Sequence, residues 1–339
     1  MKILGIETSC DETAVAVVEN GEKILSSIVS SSLPIHRKTG GVVPENAARQ
    51  QLRDIIPAID ASLRESSSLF TDLSAISVTV GPGLIGSLLV GVETAKVLAS
   101  FWNKPLIPVN HLLGHLYVNF LEDIKPSFPL LFFVVSGGHT HLYLVESHQS
   151  FKLIGQTLDD AAGEAFDKVG RLLGLSYPGG PEIEKLAVGA NDQKFSLPKP
   201  MLDSKDLNLS FSGLKTSVLR QVQKEDYSES DKRDLAACFQ KVVGEVLYSK
   251  LKRAIEETNI STVVVGGGVL ANKVVRESFA QACNEAGATL FFPSKNSLST
   301  DNAIGVATAA FYNFSPWDWR SVEASANLSW LSTPKHNMK

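Results

Sequence analysis

Leu130-Leu131-Phe132-Phe133-Val134-Val135-Ser136-Gly137-Gly138-His139-Thr140-His141-Leu142-Tyr143-Leu144-Val145-Glu146 decides the fold, because the chain has already run through the same pattern once. The apolar run 130–135 reads as a buried strand, Ser136 to Thr140 as a small-residue polar turn, and 141–146 as a second strand. A third strand is expected over 151–158, followed by helices. At the N-terminus, residues 2–6 and 14–18 read as strands around the polar turn Glu7-Thr8-Ser9-Cys10-Asp11-Glu12-Thr13. A third strand at 24–30 and a helix over 45–63 follow. Leu52, Ile55, Ile59 and Leu63 on that helix are expected to face the core. This coarse duplication predicts an α/β protein of two facing lobes, each a mixed sheet with helices, with one hairpin turn from each lobe directed at a cleft.

The chain has 339 residues and is 44% hydrophobic, enough for a sizeable core in each of two lobes. A net charge of −4 with 20% charged residues gives no global reason to bind nucleic acid. Any polyanion site must come from local clustering of Arg49, Arg53, Lys194, Lys199, Lys205, Lys215 and Arg220. The three cysteines, Cys10, Cys238 and Cys283, form no C-x-x-C pair, which fits a reducing compartment without a disulfide framework. Glu7 interrupts the N-terminal apolar residues early, and no apolar run reaches about 18 residues. Neither a signal peptide nor a membrane span is expected, and the location expected is cytoplasmic.

Candidate chemistry begins at Asn110-His111-Leu112-Leu113-Gly114-His115. Histidines four apart share one helical face, so both imidazoles can reach one ion; the plain alternative is a pair of core or surface histidines. A zinc peptidase would need glutamate after the first histidine, and this chain has Leu112. A third ligand must come from elsewhere. Asp301, just before an apolar helix at 303–312, reads either as that ligand or as the helix cap. Asp11 is a second candidate carboxylate. Gly81-Pro82-Gly83-Leu84-Ile85-Gly86 matches G-x-G-x-x-G, yet no acid ends the following strand at 106–109 and no Gly-Lys-Ser/Thr follows, so close packing is its expected role. Asp167 lies too far inside the helix begun by Asp159-Asp160 to cap it. The glycines Gly179-Gly180 and Gly266-Gly267-Gly268 allow close approach of backbone to a ligand, with Asn272 able to hydrogen-bond a flat ring.

Several of these stretches, taken in order with Ser210-Phe211-Ser212-Gly213-Leu214-Lys215-Thr216 and Ser299-Thr300-Asp301-Asn302, resemble the tRNA threonylcarbamoyladenosine transferase family. The others are Ile6 to Thr13, Asn110 to His115, Val135 to Thr140 and Asp159 to Lys168. The resemblance implies an actin-like (ASKHA) fold of two RNase H-like lobes, with 1–109 plus 299–339 in one and 110–298 in the other. It implies transfer of a threonylcarbamoyl group from threonylcarbamoyl-AMP to the exocyclic amine of the adenosine 3′ to the anticodon, with release of AMP. It places the metal ligands on His111, His115 and Asp301, with Fe(2+) as the expected ion and Zn(2+) chemically suitable. Substrate contacts fall on Val134, Val135, Ser136, Gly137, Gly138, Asp167, Gly180, Glu184 and Asn272, and Asp11 is the candidate catalytic carboxylate. A TsaB-like paralogue and a TsaE-like ATPase are the implied partners. Two other readings are a catalytically silent nucleotide-binding scaffold, which has no need of the His-His-Asp set, and a metallopeptidase, which Leu112 opposes.

Overall fold

A computed structural model describes residues 1–224 and 227–328 of the chain. Its contacts group into two compact units. Among the described residues, Met1–Lys125 with Ser147–Phe151 and 293–328 form the first; Pro126–Glu146 with Lys152–Phe292 form the second. The sequence puts the first boundary at 110, whereas the first unit runs on to Lys125, so that His111, His115 and Asp301 belong to one unit.

In the first unit, β1 (Lys2–Glu7), β2 (Glu12–Glu19) and β3 (Lys23–Ser31) form an antiparallel meander. A short helix, α1 (Leu33–Thr39), and the long α2 (Pro44–Glu65) lead to β4 (Leu73–Gly81), then α3 (Ile85–Trp102), β5 (Leu106–Asn110) and α4 (His111–Tyr117). β4 and β5 add in parallel, giving the order β3-β2-β1-β4-β5. Leu4, Ile6, Val15, Val17, Ile76 and Val78 bury their side chains with Ile55, Ala58 and Ile59 of α2 and Val92, Ala95 and Ala99 of α3. Each large aliphatic among them contributes about 1.5–3 kcal/mol by leaving water.

One sequence expectation needs correction here. Leu52 is 64% exposed, because the face of α2 turned to the core is Ala47, Gln51, Ile55, Ala58 and Ser62, and Leu52 lies a step of about 100° from Gln51. Helix α3 is long and apolar enough by composition to cross a membrane. It packs instead on β4 and α2, with Leu88, Val92, Ala95 and Ala99 buried, as the core helix of a sheet protein does.

The second unit begins with β6 (Leu130–Val135), β7 (Thr140–Ser147) and β8 (Ser150–Gln156). Four helices follow: α5 (Ala162–Leu172), α6 (Gly179–Leu186), α7 (Ser212–Val222) and α8 (Glu229–Thr258). Then come β9 (Thr262–Gly266), α9 (Lys273–Ala286) and β10 (Thr289–Phe291). β6 pairs antiparallel with β7 and parallel with β9, in the order β10-β9-β6-β7-β8. Its core centres on Phe133, Phe166, Phe239 and Phe279. Reversed, this order repeats the first sheet strand for strand. β1 and β6 are both 6 residues long and β2 and β7 both 8, so the duplication read from the sequence is real at the level of topology. The chain then returns to the first unit through α10 (Asn296–Ser299) and α11 (Ala303–Tyr312).

Candidate metal centre and substrate turns

β5 delivers the chain to Asn110, whose side chain accepts the Leu112 backbone N–H at 2.8 Å and caps α4. His111 is therefore the first residue of the helix and His115 stands one turn on, their ring centroids 4.8 Å apart and both buried. Asp301 Oδ1 lies 3.6 Å from His111 Nε2 and 3.4 Å from His115 Nε2. The three candidate ligand atoms all fall within 4.8 Å of one another.

Backbone contact between α4 and α11 makes this possible. A Cβ added to Gly305 would collide with the Gly114 carbonyl oxygen and sit 2.9 Å from its Cα. The two helices cross at that point, with Gly114 between the histidines and Gly305 four residues after the aspartate. Asp301 is not the cap of α11. That role belongs to Asn302, whose side chain accepts the Gly305 backbone N–H at 3.1 Å, so the Asp301 carboxylate is left to face the histidines.

Two imidazoles and one carboxylate, converging from a buried helix face, fit a single divalent ion with coordination positions left over. The electrostatics agree. Burial works against a charged ring at His111, but Asp301 at Nε2 and Glu7 at Nδ1 outweigh it and raise the pKa to about 9. Burial raises the Asp301 carboxyl to about 6, opposed by His111 and assisted by Glu7 and Asp11. In the metal-free chain His111 thus holds a proton at neutral pH that an ion must displace. Apparent zinc affinity is expected to rise by up to about tenfold per pH unit until the pH reaches about 9, because deprotonation frees the ligand. Chelator-competition titrations between about pH 6 and pH 9 check this; an affinity flat across that span would mean either that His111 is already neutral in the metal-free chain or that it does not ligate through Nε2.

Asp11 lies in the turn between β1 and β2. Burial, with Asp11 and then Asp301 nearby, pushes the Cys10 thiol well above its usual range, so Cys10 stays a neutral thiol. Burial and Asp11 also push the Glu12 carboxyl up, to about 9. Gly83, with φ +159, packs on this turn: a Cβ there would lie 2.9 Å from Ser9 Cβ. That close approach is the use of the G-x-G-x-x-G stretch.

In the second unit the substrate candidates gather around the ends of β6 and β9. Val134 and Val135 close β6, and Ser136-Gly137-Gly138 form the turn, with Gly137 and Gly138 exposed and open space where their Cβ atoms would be. The start of α5 packs under this turn, since a Cβ on Gly163 would come 2.6 Å from the Ser136 oxygen. Asp167 Oδ1 accepts the Gly179 N–H at 2.7 Å and so fixes the backbone just before Gly180. Glu184 Oε1 accepts the Lys273 N–H at 2.7 Å. Asn272 is largely committed to structure, its oxygen capping α9 at Val275 and its amide donating to Gln240 at 3.1 Å.

The acids at Asp159 and Asp160 do not cap α5. Asp159 accepts the N–H groups of Phe211 and Ser212 and the Ser210 and Ser212 hydroxyls, and Asp160 pairs with Lys168. Of the basic residues, Arg49, Lys194 and Lys199 are neutralised by Glu45, by Asp231 with Asp234, and by Glu245. Among the described residues, no carboxylate lies within ion-pair distance of Arg53, Lys205, Lys215 or Arg220.

Sequence reading left Glu7 and Thr79 unassigned. The available signal was an acid closing an otherwise apolar strand, a position where glutamate is rarely buried without a partner.

A family model described as TsaD, tRNA N6-adenosine threonylcarbamoyltransferase, matches residues 23–308. A protein of that name from Thermosipho melanesiensis is 49% identical over 331 residues, covering 97% of this chain and 100% of its own. One from Persephonella marina is 46% identical, covering 93% and 90%. Among solved structures, T. kodakarensis HypF matches with a TM-score of 0.62 at 15% identity, over 91% of this chain and 46% of its own. Component A of the Acidaminococcus fermentans (R)-2-hydroxyglutaryl-CoA dehydratase matches at 0.52 and 15%, over 92% and 98%. These structural likenesses bear on the fold alone, which is of the actin-like type.

Proposed function

The chain belongs to the tRNA N6-adenosine threonylcarbamoyltransferase family, and from that premise we propose that it moves the threonylcarbamoyl group of threonylcarbamoyl-AMP onto the exocyclic amine of the adenosine 3′ to the anticodon, in tRNAs that read ANN codons, with release of AMP. The observation that carries this reading is the buried convergence of His111, His115 and Asp301. A silent scaffold has no use for it. A peptidase would need a general base where Leu112 is buried.

Adenine's amine is a weak nucleophile, but the carbamoyl carbon already carries a phosphate leaving group, so positioning and charge stabilisation suffice. A divalent ion on His111, His115 and Asp301, iron by family resemblance and zinc by ligand chemistry, would supply a Lewis acid and a template for anionic groups. The Ser136-Gly137-Gly138 turn offers backbone N–H groups to phosphate or developing oxyanion charge. Its glycines admit the ligand without a Cβ in the way. Family resemblance assigns Asp167, Gly180, Glu184 and Asn272 to the nucleoside, and Asp11 is the candidate catalytic carboxylate. An anticodon-loop adenosine is unpaired, so presenting it costs less than extracting a base from a duplex. Lys215 and Arg220, which have no ion pair among the described residues, suit its phosphates. Three free cysteines and an RNA substrate support a cytoplasmic site of action.

The test is transfer of labelled threonine from threonylcarbamoyl-AMP to tRNA by the purified chain with its helpers; absence of transfer in every helper combination would remove the proposal. Both helpers, a TsaE-like ATPase and a TsaB-like paralogue, follow from family resemblance, and the chain has one surface that would suit the paralogue. Ile85, Leu89, Val97 and Phe101 leave an exposed apolar stripe along α3, with Leu52 and Ile56 exposed on neighbouring α2. Phe101 is 84% exposed. Such a stripe suits a partner's helices. Phe101→Asp is expected to weaken co-purification with the paralogue by about 30-fold or more, leaving metal content unchanged. Co-purification as tight as wild type would move the partner to another surface.

A further inference from the structure

Behind the three ligands the first unit buries one more acid. Glu7 closes β1 and is 2% exposed. Both of its oxygens are engaged. Oε1 accepts the Ser9 backbone N–H at 2.5 Å; Oε2 accepts the Thr79 hydroxyl at 2.6 Å and lies 3.0 Å from His111 Nδ1. Ser9 Oγ is 3.1 Å from the same ring nitrogen.

We propose that Glu7 is the positioning residue of the metal centre: held by Thr79 and Ser9, it takes the Nδ1–H of His111 and thereby directs a bare Nε2 lone pair at Asp301 and His115. The inference rests on the reading of His111, His115 and Asp301 as ligands. A neutral imidazole carries one N–H, and the nitrogen facing the stronger acceptor keeps it. Carboxylates face both ring nitrogens, but Glu7 Oε2 is within hydrogen-bond distance of Nδ1 at 3.0 Å whereas Asp301 Oδ1 is 3.6 Å from Nε2, so the single proton stays on the Glu7 side. Glu7 also makes the opposite nitrogen a better donor to a cation, which is the usual reason for a carboxylate behind a ligating histidine.

The donors around Glu7 explain why the residue is an acid rather than its amide. Ser9 N–H, Thr79 O–H and His111 Nδ1–H all point at it, and a carboxylate accepts from all three. An amide cannot. With its oxygen toward Ser9, its NH2 would face Nδ1 and push the ring proton onto Nε2, where the ion must bind. With its oxygen toward His111, its NH2 would confront the Ser9 N–H, donor against donor.

The experiment is zinc binding to the full chain by chelator competition, with the His111 Nδ1–H observed by NMR in the zinc-loaded protein. Glu7→Gln is expected to weaken zinc by about 10- to 100-fold and to abolish the protected Nδ1–H signal that wild type shows. Zinc affinity within about twofold of wild type, or a loss of affinity with the Nδ1–H still protected, would overturn the proposal. Should Glu7→Gln fail to fold, Thr79→Val removes only the hydroxyl that pins Oε2. It is expected to weaken zinc by about two- to tenfold, and unchanged affinity there overturns the proposal equally. A wild-type chain that takes up no zinc would overturn the ligand reading itself, and this inference with it.

Discussion

Asp301→Asn is expected to empty the metal centre and to lower threonylcarbamoyl transfer by about 10³-fold, the equivalent of several kcal/mol of lost charge stabilisation. The fold should survive. Asn302 already caps α11, so no helix terminus loses its partner, and asparagine nearly matches aspartate in volume. What disappears is the charge between two buried imidazoles that are 3.6 and 3.4 Å away. Metal analysis after gel filtration and thermal melts of the chelator-treated proteins separate the effects: metal lost, metal-free stability nearly unchanged. Full occupancy and near-normal turnover in the variant would leave His111 and His115 needing another carboxylate, for which Asp11 is the next candidate to replace.

The second large effect is expected from a methyl group. Gly305→Ala places a Cβ against the Gly114 carbonyl and must push α11 away from α4. Overpacking of this kind costs about 1–3 kcal/mol, occasionally more. Because the same crossing sets the spacing of Asp301 from the histidines, zinc affinity should fall along with stability. Gly114→Ala is the control. Its Cβ would meet Val306 Cγ2 at 3.7 Å, an ordinary contact, and replacing a helical glycine with alanine gains up to about 1 kcal/mol. Equal melting temperatures for the two variants would show that the crossing is looser than described.

Much of this was legible in the sequence because it is local. Alternation and apolar runs marked the strands, the repetition of strand, turn and strand marked the duplication, and the i, i+4 histidines marked the metal face. What could not be read depends on distant residues. Asp301 looked equally like a cap, because choosing between cap and ligand requires knowing that Asn302 takes the Gly305 N–H. Leu52 looked buried because a helical stripe gives the spacing of the inner face but not its azimuth. Gly114 and Gly305 are 191 positions apart (305 − 114), and neither signals that only a hydrogen fits at position 305, against the Gly114 carbonyl. Glu7 looked like part of a polar loop until Thr79 and His111 were found against it.

The matched sheets carry one more implication. β1 and β6 end, and β2 and β7 begin, around turns of equal length, so Glu7, Asp11 and Glu12 correspond to Val135, His139 and Thr140. One copy of the hairpin holds three acids across that span and the other holds none, and two glycines, Gly137 and Gly138, stand where the first copy has Ser9 and Cys10. The two corners therefore differ in electrical character: one is rich in carboxylates, the kind of group that suits a cation, and the other in open glycine backbone, the kind that suits an anion. Two corners with the same strand order and turn length are thus told apart by the six residues of each, 7–12 and 135–140, and the difference in charge resides there.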